Sequence, residues 1–165
     1  MKKLLLSLVL VATLVALGAP QAEAADIGVT VTITATLSVS VDKTAWAIGS
    51  IYEADIATTQ THPVVSPLGT ITANNTSNTA ADLTITISNS SNWTAAGSPG
   101  ADQFAMQASK DAGSNWDIIG VPGGYSLATD LAAGGSQGFD LMLMVPTSTT
   151  VGGTEQTITV TVTAS

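Results

Sequence analysis

The sequence predicts an all-β protein, built as a single β-sandwich of about seven to nine strands. Three observations predict this class. Apolar and hydroxyl residues alternate at both ends of the chain, threonine and serine are abundant, and short apolar segments are separated by turn-forming residues. Alternation with a period of two places one face of a strand in a core and the other in water. Threonine is β-branched and fits such a half-exposed face.

The first 24 residues have the layout of a cleaved secretory signal peptide. Lys2 and Lys3 precede an apolar run over residues 4–17, and Ala22-Glu23-Ala24 forms a small-x-small cleavage pattern. The run is shorter than the roughly 20 residues that span a bilayer. We therefore expect export by the Sec pathway and a mature domain of residues 25–165 without a membrane span. Its location is then extracellular or at the cell surface.

Residues 27–41 carry the clearest strand signal. The odd positions are apolar and the even positions from 30 to 40 are threonine or serine. At about 3.3 Å per residue the stretch is longer than a typical strand. We interpret it as two strand-length segments. They either bend between the two sheets of one sandwich, or the leading segment pairs with a neighbouring molecule.

Further strands are predicted where short apolar or alternating segments occur. These segments are 69–73, 82–88, 103–108, 116–119, 139–145 and 157–164. Loops rich in Asn, Gly, Ser and Pro separate them. Residues 47–66 show little periodicity, and we interpret them as a long connection between sheets, as in a jelly-roll or Ig-like Greek-key arrangement.

Charge and cysteine content exclude several functions. After residue 24 the chain has two lysines, no arginine and eleven acidic residues, which gives a net charge of −9. Nucleic-acid binding requires a basic surface for the phosphates, so we expect no nucleic-acid partner. The absence of cysteine excludes thiol catalysis, disulfides and cysteine-ligated metal.

No group of residues predicts catalysis, a cofactor or a metal site, so we expect a protein that is not an enzyme. His62 is the single histidine, in a proline-flanked loop without a nucleophile motif. Asp102, Asp111, Asn115 and Asp117 offer oxygen ligands in one loop-rich region. They lack EF-hand spacing, so we favour turn formation over a calcium site.

The aromatic residues allow two interpretations. They either fill the core or form a platform on which a sugar ring stacks. We favour the core. If a glycan binds, Trp93 and Tyr125 are the candidate contacts, and Trp93, which follows a polar loop, is expected to be the more exposed ring.

The uncharged N-terminal segment favours self-association. Exposed strand edges are normally guarded by lysine, proline or bulges, because they template pairing with other chains. Residues 27–41 contain no charge and no proline. One hypothesis is that Val29, Val31 and Ile33 are donated to the next subunit by β-strand addition, a head-to-tail contact that builds filaments.

This plan is similar to that of secreted, filament-forming β-sandwich proteins, the TasA/camelysin-like fibre proteins and the archaeal bundling pilins. The shared features are a Sec signal, the alternating strand at residues 27–41, a threonine-rich body and no cysteine. The resemblance implies fibre formation by donated strands and transfers no functional residues. We expect a structural subunit of a pilus or an extracellular-matrix filament. The alternative is a surface adhesin or a carbohydrate-binding module.

Overall fold

The computed structural model describes residues 27–36, 38–59, 68–120 and 123–165, and these residues form an all-β structure of two sheets. The expected signal peptide and His62 lie outside them. Within these ranges no helix is long and apolar enough to cross a membrane. The strands are β1 (Ile27–Thr36), β2 (Val39–Val41), β3 (Ala45–Ile51), β4 (Ile56–Thr58), β5 (Ile71–Asn75), β6 (Ala81–Ile87), β7 (Thr94–Ala95), β8 (Gln103–Ser109), β9 (Asp117–Ile118), β10 (Tyr125–Leu131), β11 (Ser136–Met144) and β12 (Gln156–Ala164).

The first sheet has five strands in the order β10-β6-β12-β1-β3. It joins the two ends of the described chain, because β1 and β12 lie side by side and run parallel. All other pairs in this sheet are antiparallel. The alternating segments recognised in the sequence thus become neighbours and form the middle of one sheet.

The second sheet has seven strands. Its main order is β2-β5-β11-β8-β7, while β4 pairs with β11 and β9 pairs with β8. β11 is the longest strand here, and β5 and β4 pair with its first and second halves. Residues 27–41 supply a strand to each sheet, since β1 belongs to the first and β2 to the second.

One cluster of buried hydrophobic side chains includes residues from both sheets. Val31 and Val160 of the first sheet and Phe139 and Leu141 of the second are among them, and each is at most 1 % exposed. On the opposite faces, Thr30 and Thr32 of β1 and the threonines of β12 are partly or fully exposed. The period-two alternation therefore separates core from surface as the sequence predicts.

The structure corrects the expected number of strands. The described residues contain twelve, and residues 47–66, which we interpreted as a connection, include most of β3 and all of β4. β10 was also missed. In β3 the inward residues are Trp46, Ile48 and then Ile51. A bulge interrupts the alternation, because Val29 pairs with Gly49 whereas Thr30 pairs with Ala47.

Glycine is required at the bulge in β3 and before β10. Gly49 has a φ of 81°, in the left-handed region where a side chain causes strain. At Gly124 a β-carbon would collide with Thr84 Cγ2 and lie 2.7 Å from the carbonyl oxygen of Ile85. A larger residue at Gly124 would therefore push apart β6 and the start of β10.

Candidate functional site

The candidate site is the slot that holds β1 between β12 and β3. Val29 to Thr36 pair in parallel with Gln156 to Thr163, without a register shift. On the other side β1 pairs with β3 in antiparallel orientation. β1 is thus an inner strand with ladders along both edges, although it is the first strand of the described chain.

The inward face of β1 carries the three residues proposed for strand donation. Val29, Val31 and Ile33 are at most 1 % exposed and belong to the shared core. On the other face Thr30 Oγ1 donates to Glu155 Oε1 at 2.9 Å. Removing β1 would open a two-sided groove and expose apolar residues of the core, so the slot has to be filled by some strand of this pattern.

The connection from β1 to β2 crosses from one sheet to the other within two residues, because β1 ends at Thr36 and β2 begins at Val39. Ser38 is anchored on the second sheet. Its carbonyl oxygen accepts from the backbone N–H and from Oγ1 of Thr76, each at 2.6 Å. β2 pairs with β5 directly after this anchor.

Both candidate aromatic residues lie in the core. Trp93 is 1 % exposed, so the expectation that it would be the exposed ring is wrong. The Ser90–Trp93 turn directs the ring inward, since the Trp93 N–H donates to Ser90 Oγ at 2.9 Å. The indole Nε1 donates to Thr149 Oγ1 at 3.1 Å. The polar residues next to Trp93 in the sequence did not predict its burial, because the hydrogen-bond partner Thr149 lies 56 residues further along the chain.

Tyr125 is 9 % exposed and opens the edge strand β10. Lys110 Nζ lies 5.7 Å from the ring centroid. Partial burial, together with the negative charges of Asp117 and Asp111, raises the pKa of the Tyr125 hydroxyl. The face of this ring is largely covered, so neither candidate aromatic residue provides an open stacking platform.

Of the acidic residues considered for calcium, Asp111 organises the turn between β8 and β9. Asp111 accepts hydrogen bonds from Ser109 Oγ at 2.7 Å, from the side-chain amide of Asn115 and from the Asn115 N–H at 2.9 Å. These bonds lower the pKa of Asp111 to about 2. In the part of the chain that the structure describes, no three His, Cys, Asp or Glu residues form a group that could hold a metal ion.

Asp102 joins two loops. Its carboxylate accepts from the Thr150 N–H, Thr149 Oγ1 and Thr150 Oγ1, each at 2.9 Å. These bonds, with the backbone bond the largest cause, lower the pKa of Asp102. Because Thr149 also accepts from Trp93, the carboxylate supports the position of the buried indole.

Asp140 and Thr59 form a buried polar contact inside the second sheet. Both are fully buried, and Thr59 Oγ1 donates to Asp140 Oδ1 at 3.4 Å. The Leu141 N–H donates to Thr59 Oγ1 at 3.2 Å. This contact fixes the position where β4 meets β11.

A shallow depression of about 300 Å³ lies at the end of β12. Its lining is mostly hydroxyl and small side chains, namely Ser38, Ser77, Asn78, Thr79, Ala80, Ala81, Ala164 and Ser165. The depression lacks charged side chains and aromatic rings, so its chemistry selects no particular ligand. Comparisons with protein-family models and with curated proteins found no match to this chain.

Proposed function

We propose that the chain is a non-enzymatic structural protein, exported by the Sec pathway, that forms a pilus or extracellular-matrix filament at the cell surface. Subunits assemble by β-strand addition, and β1 is the donated strand. The observation that carries the proposal is the position of β1, the first described strand, which is paired on both edges and buries Val29, Val31 and Ile33 in the core.

Three properties of β1 support donation. It forms continuous ladders with both β12 and β3, as a strand inserted into a preformed slot would. It meets β2 through a two-residue connection anchored at Ser38. The slot that β1 fills can equally accept β1 of a second subunit, because both copies have the same apolar positions and form the same backbone ladder.

Exchange of identical strands between copies costs little free energy. In a neighbouring subunit β1 makes the same contacts that it makes in its own subunit. If each subunit donates to the next, the contact is head-to-tail and does not close. A filament results.

The finer architecture belongs to the same proposal. We infer that the two sheets form the layers of one β-sandwich of jelly-roll or Ig-like Greek-key type. The shared hydrophobic cluster supports two packed layers. In that arrangement β1 completes a layer.

A cysteine pair across β1 and β3 tests the donation directly. Thr32 pairs with Ala45, and the natural chain has no cysteine to compete. We expect the Thr32→Cys/Ala45→Cys protein, assembled first and oxidised afterwards, to give a ladder of covalent multimers on a non-reducing gel. In an exchanged filament the two sulfurs of each bond belong to different subunits.

The same variant oxidised before assembly should stay monomeric, because the bond then holds β1 in its own subunit, and reduction should restore assembly. The matched control is Ser126→Cys/Thr84→Cys, which joins two strands that are not exchanged. We expect this control to assemble in both redox states. Oxidised assemblies of the β1–β3 variant that run only as monomers would contradict strand donation.

A further inference from the structure

The two edge strands of the first sheet differ in how well they are protected against pairing with another chain. β10 forms one edge, and its pairing with β6 shifts between Ser126 and Ala128 and again before Leu131. It also carries Asp130, with a φ of 53°. A charge and irregular pairing are the usual means of preventing an edge from accepting another strand. β3, the opposite edge, has seven residues with neither charge nor proline.

Edges of the second sheet are short. β2 and β4 have three residues each and β7 and β9 have two. β2 is followed by Asp42 and Lys43, and β9 contains Asp117. Among the described strands, β3 therefore presents the long and unguarded edge.

The backbone of β3 offers hydrogen-bonding groups to that open side. The Ile33 N–H donates to the carbonyl oxygen of Thr44 at 3.0 Å, so alternate residues from Thr44 onward bond to β1. Ala45 and Ala47 then direct their N–H and C=O groups away from β1. After the bulge Gly49 is the partner of Val29 and Ser50 the partner of Gly28, and the alternation of β1 then places the backbone groups of Ser50 on the open side.

The outer surface beside these groups is small and uncharged. Ala45, Ala47, Gly49 and Ser50 are exposed, whereas Trp46 and the other large side chains of β3 point into the core. A second strand could approach without meeting a bulky or charged side chain. Tyr52 follows β3 directly and is 57 % exposed, an unusual degree for a large ring.

We propose that β3 pairs in antiparallel orientation with β3 of a second copy of this chain, about a two-fold axis between Ile48 and Gly49. Ala47 then lies opposite Ser50 of the partner subunit, and both direct their backbone groups across the contact. The bulge makes this register possible, because it shifts the alternation so that Ala47 and Ser50 both point outward.

Charge and shape at the ends of β3 favour a second copy as the occupant. Lys43, which contacts Asp42 within its own subunit, lies before the strand, and Glu53, whose Oε1 accepts from the Thr149 N–H, lies after it. The antiparallel arrangement brings each lysine beside the partner's Glu53, so its ammonium group gains a second carboxylate neighbour. Only one other lysine follows residue 24 in this acidic chain. Tyr52 would cover Ala45 of the partner subunit. Strand donation leaves the outer edge of β3 unpaired. The β3–β3 contact therefore joins filaments side by side. It also forms between chains that do not exchange β1.

Cysteine crosslinking tests the register in the full chain from Ala25. An equal mixture of Ala47→Cys and Ser50→Cys proteins should form a disulfide-linked dimer on mild oxidation. Ala47→Cys alone should not, because its two sulfurs would be three residues out of register. High protein concentration is needed, since a contact of one strand edge is smaller than the roughly 1,200 Å² at the low end of stable interfaces.

Lysine at the edge provides a second measurement, by sedimentation equilibrium. Ala47→Lys should weaken or abolish association, whereas Thr129→Lys, the same charge change on the protected β10 edge, should leave it unchanged. Equal crosslinking in all cysteine samples, or equal association of both lysine variants, would overturn the proposal. Loss of this contact with filaments retained would leave strand donation intact.

Discussion

Asn75 shows how one side chain joins the two sheets. It is fully buried at the end of β5. Its Nδ2 donates to the carbonyl oxygens of Leu131 at 2.8 Å, Thr79 at 2.9 Å and Ala132 at 3.2 Å. Leu131 ends β10, which belongs to the other sheet. The amide therefore ties together turns from both sheets.

We expect Asn75→Ala to lower the free energy of unfolding by about 3 kcal/mol, because it removes a fully buried amide that donates hydrogen bonds to three part-buried carbonyl oxygens. Asn78→Ala, on the exposed part of the same turn, should change it by less than about 0.5 kcal/mol. Urea denaturation of both variants measures the difference. Equal stability of the two would show that the buried amide has no such role.

Asp111 makes the turn before β9 sensitive to acid. Its pKa is lowered to about 2 by hydrogen bonds from Ser109 and Asn115. A carboxyl group with a lowered pKa in the folded state stabilises the fold above the unfolded pKa of about 3.9, and this contribution disappears as the pH falls through the folded pKa. The relevant window is therefore between about pH 4 and pH 2.

We expect Asp111→Ala to be less stable than the natural chain at pH 7, and the difference should shrink between about pH 4 and pH 2. Denaturant midpoints at several pH values measure it. Asp117→Ala provides the control for removing a nearby negative charge. A difference that stays constant down to pH 2 would contradict the assignment to the ionised carboxylate.

At the scale of the element, regular alternation is readable from sequence and bulged strands are not. β1 and β12 keep strict period two, so their inward residues could be named in advance. β3 loses the pattern after Ile48, where the bulge inserts a residue. β10 loses it where Asp130 takes a left-handed conformation. Their backbone irregularities arise from tertiary pairing, which leaves no periodic signal.

A pair of substitutions in β1 tests whether its two faces differ as the structure indicates. Val31→Thr buries a hydroxyl among apolar side chains and should cost about 1–3 kcal/mol of stability. Thr32→Val, on the half-exposed face, should cost less than about 0.5 kcal/mol. Thermal unfolding followed by circular dichroism compares the two. A similar loss of stability in both variants would mean that the odd-numbered residues of β1 do not face the core.

At the scale of the whole molecule, the sequence predicts the class of fold and not the neighbours of each strand. Val29 and Gln156 are paired, although 127 residues separate them. Period-two alternation identifies the apolar face of a strand. It does not identify the neighbouring strands, because every alternating strand has such a face. The slot around β1 is therefore visible only in three dimensions, whereas its three inward residues were identifiable from their spacing.

The net charge of the subunit should make assembly depend on salt. After residue 24 each chain carries a charge of −9, and the Lys43–Asp42 pair at 3.0 Å lies within one subunit. The net charges of neighbouring subunits along a filament therefore repel one another, apart from the Lys43–Glu53 approach proposed at the β3 edge, while the buried contacts of β1 are apolar. Raising the ionic strength from about 0.1 M to about 1 M shortens the Debye length from about 10 Å to about 3 Å.

We expect sodium chloride in this range to increase both the rate of assembly and the final polymer mass, measured by light scattering and pelleting. Sucrose at equal osmolarity separates the effect of screening from that of solute exclusion, because it strengthens apolar burial without screening charge. Salt should act more strongly than sucrose. Polymers that dissolve as salt rises would mean that ion pairs between subunits hold them together, and the apolar slot of β1 would then not be the main contact.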